Sequence, residues 1–79
     1  MPRFRVHMIN SDFSSSEEGD YASVEAAVEA GVRGAAEVAS DQIAKGTPAA
    51  AIEIRVEQGD EVLARRVIAF SVSDLRTSE

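Results

Sequence analysis

The chain has no cysteine and no tryptophan, and only two of its 79 residues are proline. The absence of cysteine excludes disulfide scaffolds, cysteine nucleophiles and thiolate zinc sites. No stretch approaches the roughly 18 apolar residues that a membrane-spanning helix needs. The amino terminus leads directly into an alternating segment and not into the apolar core of a signal peptide. We therefore expect a cytoplasmic protein without a membrane partner.

Basic side chains are also scarce, with 8 lysines and arginines against 14 acidic residues and a net charge of -6. The acidic residues are spread along the chain, and no basic tail or stripe interrupts them. Such a surface repels a phosphate backbone, so nucleic acid is not an expected partner. The short length predicts one domain with a thin core.

Residues 23–45 have the periodicity of one long amphipathic helix. Apolar or small residues recur along it at three- and four-residue spacing: Val24, Ala27, Val28, Gly31, Val32, Ala35, Val38, Ala39 and Ile43. Ser23 is suited to the N-cap position. Gly46 and Pro48 predict the end of the helix.

The segment before the helix contains one clear strand and one ambiguous one. Residues 3–10 alternate, with Phe4, Val6 and Met8 on one face, as in a half-buried strand. Residues 13–21 are rich in serine and acidic side chains, which have little β propensity. We interpret them either as a short edge strand or as a loop.

The segment after the helix predicts a β-hairpin. Ile52, Ile54 and Val56 alternate with charged residues, and Gln58-Gly59-Asp60 is typical of a tight turn. Residues 62–71 form the returning strand, whose register the pattern leaves open. A bulge near Arg65-Arg66 is one solution.

These elements predict an α+β fold of two layers, in which an antiparallel sheet of three to four strands carries one long helix on one face. The order is β-β-α-β-β, with a weak second strand. We expect one domain over residues 1–72 and a polar tail over 73–79. The side chains expected to face the helix from the sheet are Phe4, Val6, Met8, Ile52, Ile54, Val56, Ile68 and Phe70.

The whole pattern resembles a family of short bacterial proteins catalogued as domain of unknown function 6894. The resemblance depends on segments spread over the chain: Met1-Pro2-Arg3-Phe4 with His7, Glu17-Glu18-Gly19, Val24-Glu25-Ala26-Ala27, Ile54-Arg55-Val56, Gly59, Val62-Leu63 and Ile68-Ala69-Phe70. It implies the same strand and helix order. It implies no activity, cofactor or catalytic residue.

Few residues suggest chemistry. His7 is the only histidine and shares a strand face with Arg3 and Arg5, where a structural or interface role is favoured over that of a general base. The carboxylates between Asp12 and Asp20 do not have the spacing of a calcium-binding loop. We expect no catalytic, cofactor-binding or metal-ligating residue. A small metal-dependent enzyme that uses these groups is an alternative.

The sheet face opposite the helix is the predicted functional surface. Its expected residues mix charged and apolar side chains, as protein interfaces do: Arg5, His7, Arg55, Leu63, Arg65 and Val67. We expect a non-enzymatic protein-interaction module that forms a homodimer through this face or through the last strand. If the last strand is bulged, Leu63 or Val67 would turn inward instead.

A second reading concerns regulators. Strand pairs that flank one helix resemble the partner-binding half of HicB-type antitoxins. That resemblance implies an antitoxin-like regulator that binds a basic protein partner. We expect no DNA-binding element within these 79 residues, although such regulators need one to repress transcription.

Overall fold

The computed structural model describes residues 1–75 as four strands and one helix. The elements are β1 (Arg3–Ile9), β2 (Ser14–Asp20), α1 (Val24–Ala44), β3 (Ala49–Gln58) and β4 (Glu61–Ser71). The sheet has the order β2-β1-β3-β4, and every pair of neighbours is antiparallel. The predicted α+β fold and its β-β-α-β-β order are confirmed. Residues 76–79 of the predicted tail lie outside the described residues.

Helix α1 begins and ends where its capping residues predict. The Ser23 hydroxyl oxygen accepts a hydrogen bond from the Ala26 amide at 3.1 Å. At the other end Gly46 has a φ of 107°. The Gly46 amide donates to the Ile43 carbonyl, and the next amide reaches back to Gln42. This pair of bonds is a Schellman motif, in which a left-handed glycine satisfies the last carbonyls of the helix.

A row of small residues lets α1 lie very close to the sheet. Its buried residues are spaced four apart: Ala27, Gly31, Ala35 and Ala39. A Cβ added to Gly31 would lie 2.6 Å from the Cγ2 atom of Ile54, so this position has no room for a methyl group. The large buried side chains come from the sheet, chiefly Ile52, Ile54 and Val56. The thin core is therefore filled from the strands.

Strand β2 is the outer strand beside β1, so the edge-strand interpretation of residues 13–21 is confirmed. Its residues pair with those of β1 in register, as in Val6 with Glu17 and Met8 with Ser15. Most of its side chains are exposed. The backbone ladder to β1 therefore holds a segment whose own propensity for strand is low.

The last strand is bulged at Leu63 and not at Arg65-Arg66, the position that one solution of the open register gave. Val56 pairs with Ala64 while Glu57 pairs with Val62, which leaves Leu63 as the extra residue. Without this bulge Val67 would stand opposite Ile52. With it, Ile68 takes that place, and the larger side chain faces the core.

Candidate functional site

The sheet face opposite α1, called the open face below, brings together five of the six predicted interface residues. Cross-strand partners in an antiparallel ladder point to the same face. His7 on β1 stands opposite Arg55 on β3, and Arg55 stands opposite Arg65 on β4. Arg5 and Val67 each pair with a glutamate of β3 on the same face.

Leu63 does not belong to the open face, and its predicted outward position is wrong. Its side chain is half-buried and packs against the core cluster, as does that of Ala64. At a bulge two successive residues oppose a single partner, so both can turn to one side. Alternation along the strand could not show this, because the extra residue breaks the period of two.

On the β2 side of the open face the charges are joined in ion pairs. The Glu18 carboxylate accepts hydrogen bonds from Arg5 at 3.2 Å and from Arg3 at 3.3 Å. Arg3 also lies 3.6 Å from Asp20. The bond from Arg5, followed by that from Arg3, lowers the pKa of Glu18 below its ordinary range. These pairs join β1 to the outer strand β2.

On the β4 side one carboxylate joins two arginines. An oxygen of Glu53 accepts from Arg65 at 2.9 Å and from Arg55 at 3.1 Å. The bond from Arg65 is the largest cause of the lowered pKa of Glu53, and the same bond raises the pKa of Arg65. The centre of the open face is thus occupied by charges that already have partners.

His7 lies over β3 at the centre of the open face. Its Nε2 atom is 3.1 Å from a carboxylate oxygen of Glu57, and the two side chains are 21% and 22% exposed. The atom is covered from solvent, and it has no hydrogen-bond partner within residues 1–75. The pair is diagonal across the ladder, a relation that requires knowledge of the strand order.

The carboxylates between Asp12 and Asp20 do not converge. Successive residues of a strand point to opposite faces, so Glu17 lies on the helix side and Glu18 on the open face. Across the described residues, no three histidine, aspartate or glutamate side chains are arranged to hold a metal ion. The hypothesis of a metal-dependent enzyme thus has no clustered ligands within this part of the chain.

The far end of β4 is apolar and exposed. We call residues 67–70 (Val67-Ile68-Ala69-Phe70) the apolar segment of β4. Val67 is 68% exposed on the open face, beside Ala69. Phe70 lies on the helix side, as expected, but it is outside the core cluster and 37% exposed. Apolar side chains therefore reach solvent on both faces of this segment.

The backbone of the apolar segment is also open to a partner. Alternate residues of an antiparallel strand direct both the amide and the carbonyl to the same neighbour. The Val72 amide donates to the Pro48 carbonyl at 2.9 Å, which places the even-numbered residues 66–72 towards β3. Val67 and Ala69 must then direct their amides and carbonyls outwards. Of the strands the structure describes, only β3 pairs with β4.

The Arg66 side chain covers the outer edge of β4 immediately before the apolar segment. The Arg66 guanidinium donates to the Arg65 carbonyl at 2.9 Å, and by the same alternation this carbonyl faces outwards. The accessible edge therefore begins at Val67. Sequence reasoning missed this boundary, although the step from Arg65-Arg66 to four apolar residues is its signal.

A shallow groove of about 200 Å³ lies between α1 and β2 on the helix side. Val6 and Met8 line it from β1, Ser15 and Glu17 from β2, and Gly34 from the helix. No polar or charged residue is buried anywhere in residues 1–75. The polar residues that line the groove are therefore all at least partly exposed. The groove thus has no desolvated polar group to orient a small ligand.

Comparison with known proteins identifies a family and no characterised relative. No curated protein and no solved structure matches the chain. Nothing among the described elements has both the length and the apolar character of a membrane-crossing helix. The family model described as Domain of unknown function (DUF6894) matches residues 3–71, which run from the first residue of β1 to the last residue of β4. The chain therefore belongs to the DUF6894 family.

Proposed function

We propose that this protein is a protein-interaction module that associates with a second copy of itself through the outer edge of β4. The observation that carries the proposal is the apolar segment, where outward backbone groups and exposed apolar side chains occur together. An exposed strand edge pairs readily with another strand, because main-chain hydrogen bonds and side-chain contacts then form at once.

The edge of β4 suits this role better than the centre of the open face. Glu53 is bonded to Arg55 and Arg65, and His7 lies against Glu57. Covering these groups with a partner would remove water from charges that already have their counter-ions. The free-energy cost of this desolvation exceeds the gain from the new contacts. The apolar segment carries no charge to desolvate.

The size of the contact favours a reversible dimer. One strand pair and its neighbouring side chains bury less surface than the interfaces of about 1,600 Å² that hold standard complexes together. We therefore expect the dimer to form at micromolar concentrations.

The experiment measures mass by sedimentation equilibrium at high micromolar concentration. We expect twice the chain mass of 8.4 kDa for the wild type, and the mass of one chain for Val67→Asp, since a carboxylate would be buried at the contact. Val62→Asp is the matched control, because Val62 is exposed on the open face of the same strand but outside the apolar segment. Its mass should remain that of a dimer. A wild-type monomer would refute the proposal.

The antitoxin-like regulator remains a second candidate, which the charge of the helix favours. The outward face of α1 carries more acidic than basic groups: Glu25, Glu29, Glu37 and Asp41 against Arg33. Such a surface attracts a basic protein. Purification of the tagged protein in a stoichiometric complex with a basic partner would support this candidate. Recovery of the protein without one would count against it.

A further inference from the structure

The alternation of β4 restricts how two copies can pair. In an antiparallel pair around a two-fold axis perpendicular to the sheet, the axis passes midway between one residue, called the axis residue below, and the same residue of the other copy. Residues at equal distances on either side then face each other. The open faces of both copies then lie on one side. Each choice of axis residue is one register, so the side chains of β4 can be tested against each register in turn.

Charge excludes the registers at the middle of the strand. An axis at Arg65 or at Arg66 would place that arginine opposite its own counterpart, and like charges directly opposite destabilise a ladder. An axis at Val67 would leave the two Arg66 side chains diagonal to each other on one face, about 7–8 Å apart. These registers also require the Arg65 carbonyl, which Arg66 already occupies, close to the axis.

An axis at Ile68 keeps the arginines apart and moves the Arg65 carbonyl three residues from the axis. Val67 of one copy then faces Ala69 of the other, and these are the residues whose amides and carbonyls point outwards. Arg66 faces Phe70 of the other copy, a pairing that favours contact of the guanidinium with the aromatic ring. The bulge at Leu63 lies beyond the paired residues.

An axis one residue further along, at Ala69, gives the side chains less suitable neighbours. Arg66 would then face Val72 instead of an aromatic ring. Val67 would face Ser71 of the other copy and lose its apolar neighbour across the axis. The register at Ile68 therefore has the best match of side chains among the registers that keep the arginines apart.

We propose that two copies pair through β4 about a two-fold axis at Ile68, which joins their sheets into one antiparallel sheet of eight strands. The inference rests on the proposed function and adds its register. Backbone hydrogen bonds exchanged by Val67 and Ala69 lie on either side of the axis. On the open face, Val67 and Ala69 of the two copies form one continuous apolar strip.

The absence of cysteine allows the register to be measured by disulfide formation. Ile68 bonds to β3, so the two Ile68 residues at the axis form a non-hydrogen-bonded pair, with Cα atoms about 4.5 Å apart. This separation is within the range of disulfides. Single variants Ile68→Cys, Val67→Cys and Ala69→Cys are oxidised mildly and the cross-linked fraction is read from non-reducing gels. An equimolar mixture of Val67→Cys with Ala69→Cys is oxidised in parallel.

We expect Ile68→Cys to give the largest cross-linked fraction of the single variants. The mixture should give more cross-linked product than Val67→Cys or Ala69→Cys alone. If Ile68→Cys does not fold by circular dichroism, the mixture carries the test, since both of its sites are exposed. A maximum at Val67→Cys or Ala69→Cys alone would overturn the register.

Sedimentation separates this outcome from failure of the proposed function. A wild-type dimer in which Val67→Cys or Ala69→Cys alone cross-links most would overturn the register but leave the proposed association through β4 standing. A wild-type dimer with no cross-link at any of the three positions would refute pairing through β4, and with it both proposals. A wild-type monomer would refute both.

Discussion

The two edge strands of this sheet differ in the protection of their outer edges. β2 has seven residues, and its side chains are serine, acidic or glycine on both faces. β4 has eleven, and its last part is the apolar segment. Polar side chains and short length discourage pairing with another chain, whereas a long apolar edge invites it. The sheet is therefore expected to end at β2, whereas a further strand can pair with β4.

The two strands also differ in how they are attached. α1 lies over β1, β3 and β4, and β2 remains uncovered beside the groove. β4 contributes Leu63, Ala64 and Ile68 to packing against the core. β2 depends on its ladder to β1 and on the ion pairs of Glu18. The comparison predicts that side-chain truncation on β4 costs far more stability than truncation on β2.

The largest expected effect tests this difference directly. Leu63→Ala should lower the free energy of unfolding by about 2–3 kcal/mol, because it removes half-buried methyl groups from the core. Ser15→Ala on β2 should change it by less than about 0.5 kcal/mol, since Ser15 is exposed. Urea unfolding followed by circular dichroism measures both.

Val62→Ala is the matched control on β4, since Val62 is next to Leu63 but exposed on the open face. Its effect should be as small as that of Ser15→Ala. Equal losses for Leu63→Ala and Val62→Ala would contradict the position of the bulge. A large loss for Ser15→Ala would contradict the weak attachment of β2.

A smaller effect compares the packing of α1 on β3 with its packing on β1. Gly31→Ala should destabilise by about 1–2 kcal/mol, because the new methyl group would overlap Ile54. Gly34→Ala should stabilise by up to about 1 kcal/mol, since alanine favours helix and its Cβ would lie 3.5 Å from the Met8 sulfur, an ordinary contact. Thermal unfolding of the two variants measures the difference. Destabilisation of equal size at both sites would show that α1 is as close to β1 as to β3.

The smallest expected effect concerns the ion pairs at each edge. The pKa values of Glu18 and Glu53 are lowered in the folded protein from their ordinary 4.5. The folded state therefore binds fewer protons than the unfolded state in this range. The stabilisation is fully present above pH 4.5 and is lost as the pH falls through the lowered values.

Urea unfolding between about pH 3 and pH 6 measures this loss. Glu18→Gln and Glu53→Gln should each make the unfolding free energy less dependent on pH, because the titrating carboxylate is gone. If only Glu53→Gln has this effect, the ion pairs of Glu18 do not help to hold β2. If neither variant has this effect, the hydrogen bonds from arginine at both edges make no net contribution to the free energy of unfolding, as is common for exposed ion pairs.

Much of this architecture could be predicted from local sequence patterns. Alternation identified β1 and β3, because each has one buried and one exposed face. Ser23 and Gly46 identified the ends of the helix, because caps are local interactions. The open-face positions of Arg5, His7 and Arg55 followed from the same alternation.

The remaining features depend on pairing between distant segments. β2 is a strand because β1 supplies its hydrogen bonds, and a serine-rich sequence cannot reveal that partner. The bulge at Leu63 is determined by which residues face the core, a choice that alternation alone leaves open. The carbonyl that Arg66 covers becomes visible only when the strand order shows which side of β4 is the edge.

The central position of β1 has a consequence for folding. β1 pairs with β2 nearby in the chain and also with β3, where Arg5 meets Glu57 about fifty residues later. The β3–β4 hairpin can form locally around Gly59, but its union with β1 requires closure of the long loop that contains α1. During synthesis β1 and β2 emerge first and must await β3 with the inner edge of β1 unpaired. The step that joins β1 to β3 is therefore expected to limit the rate of folding.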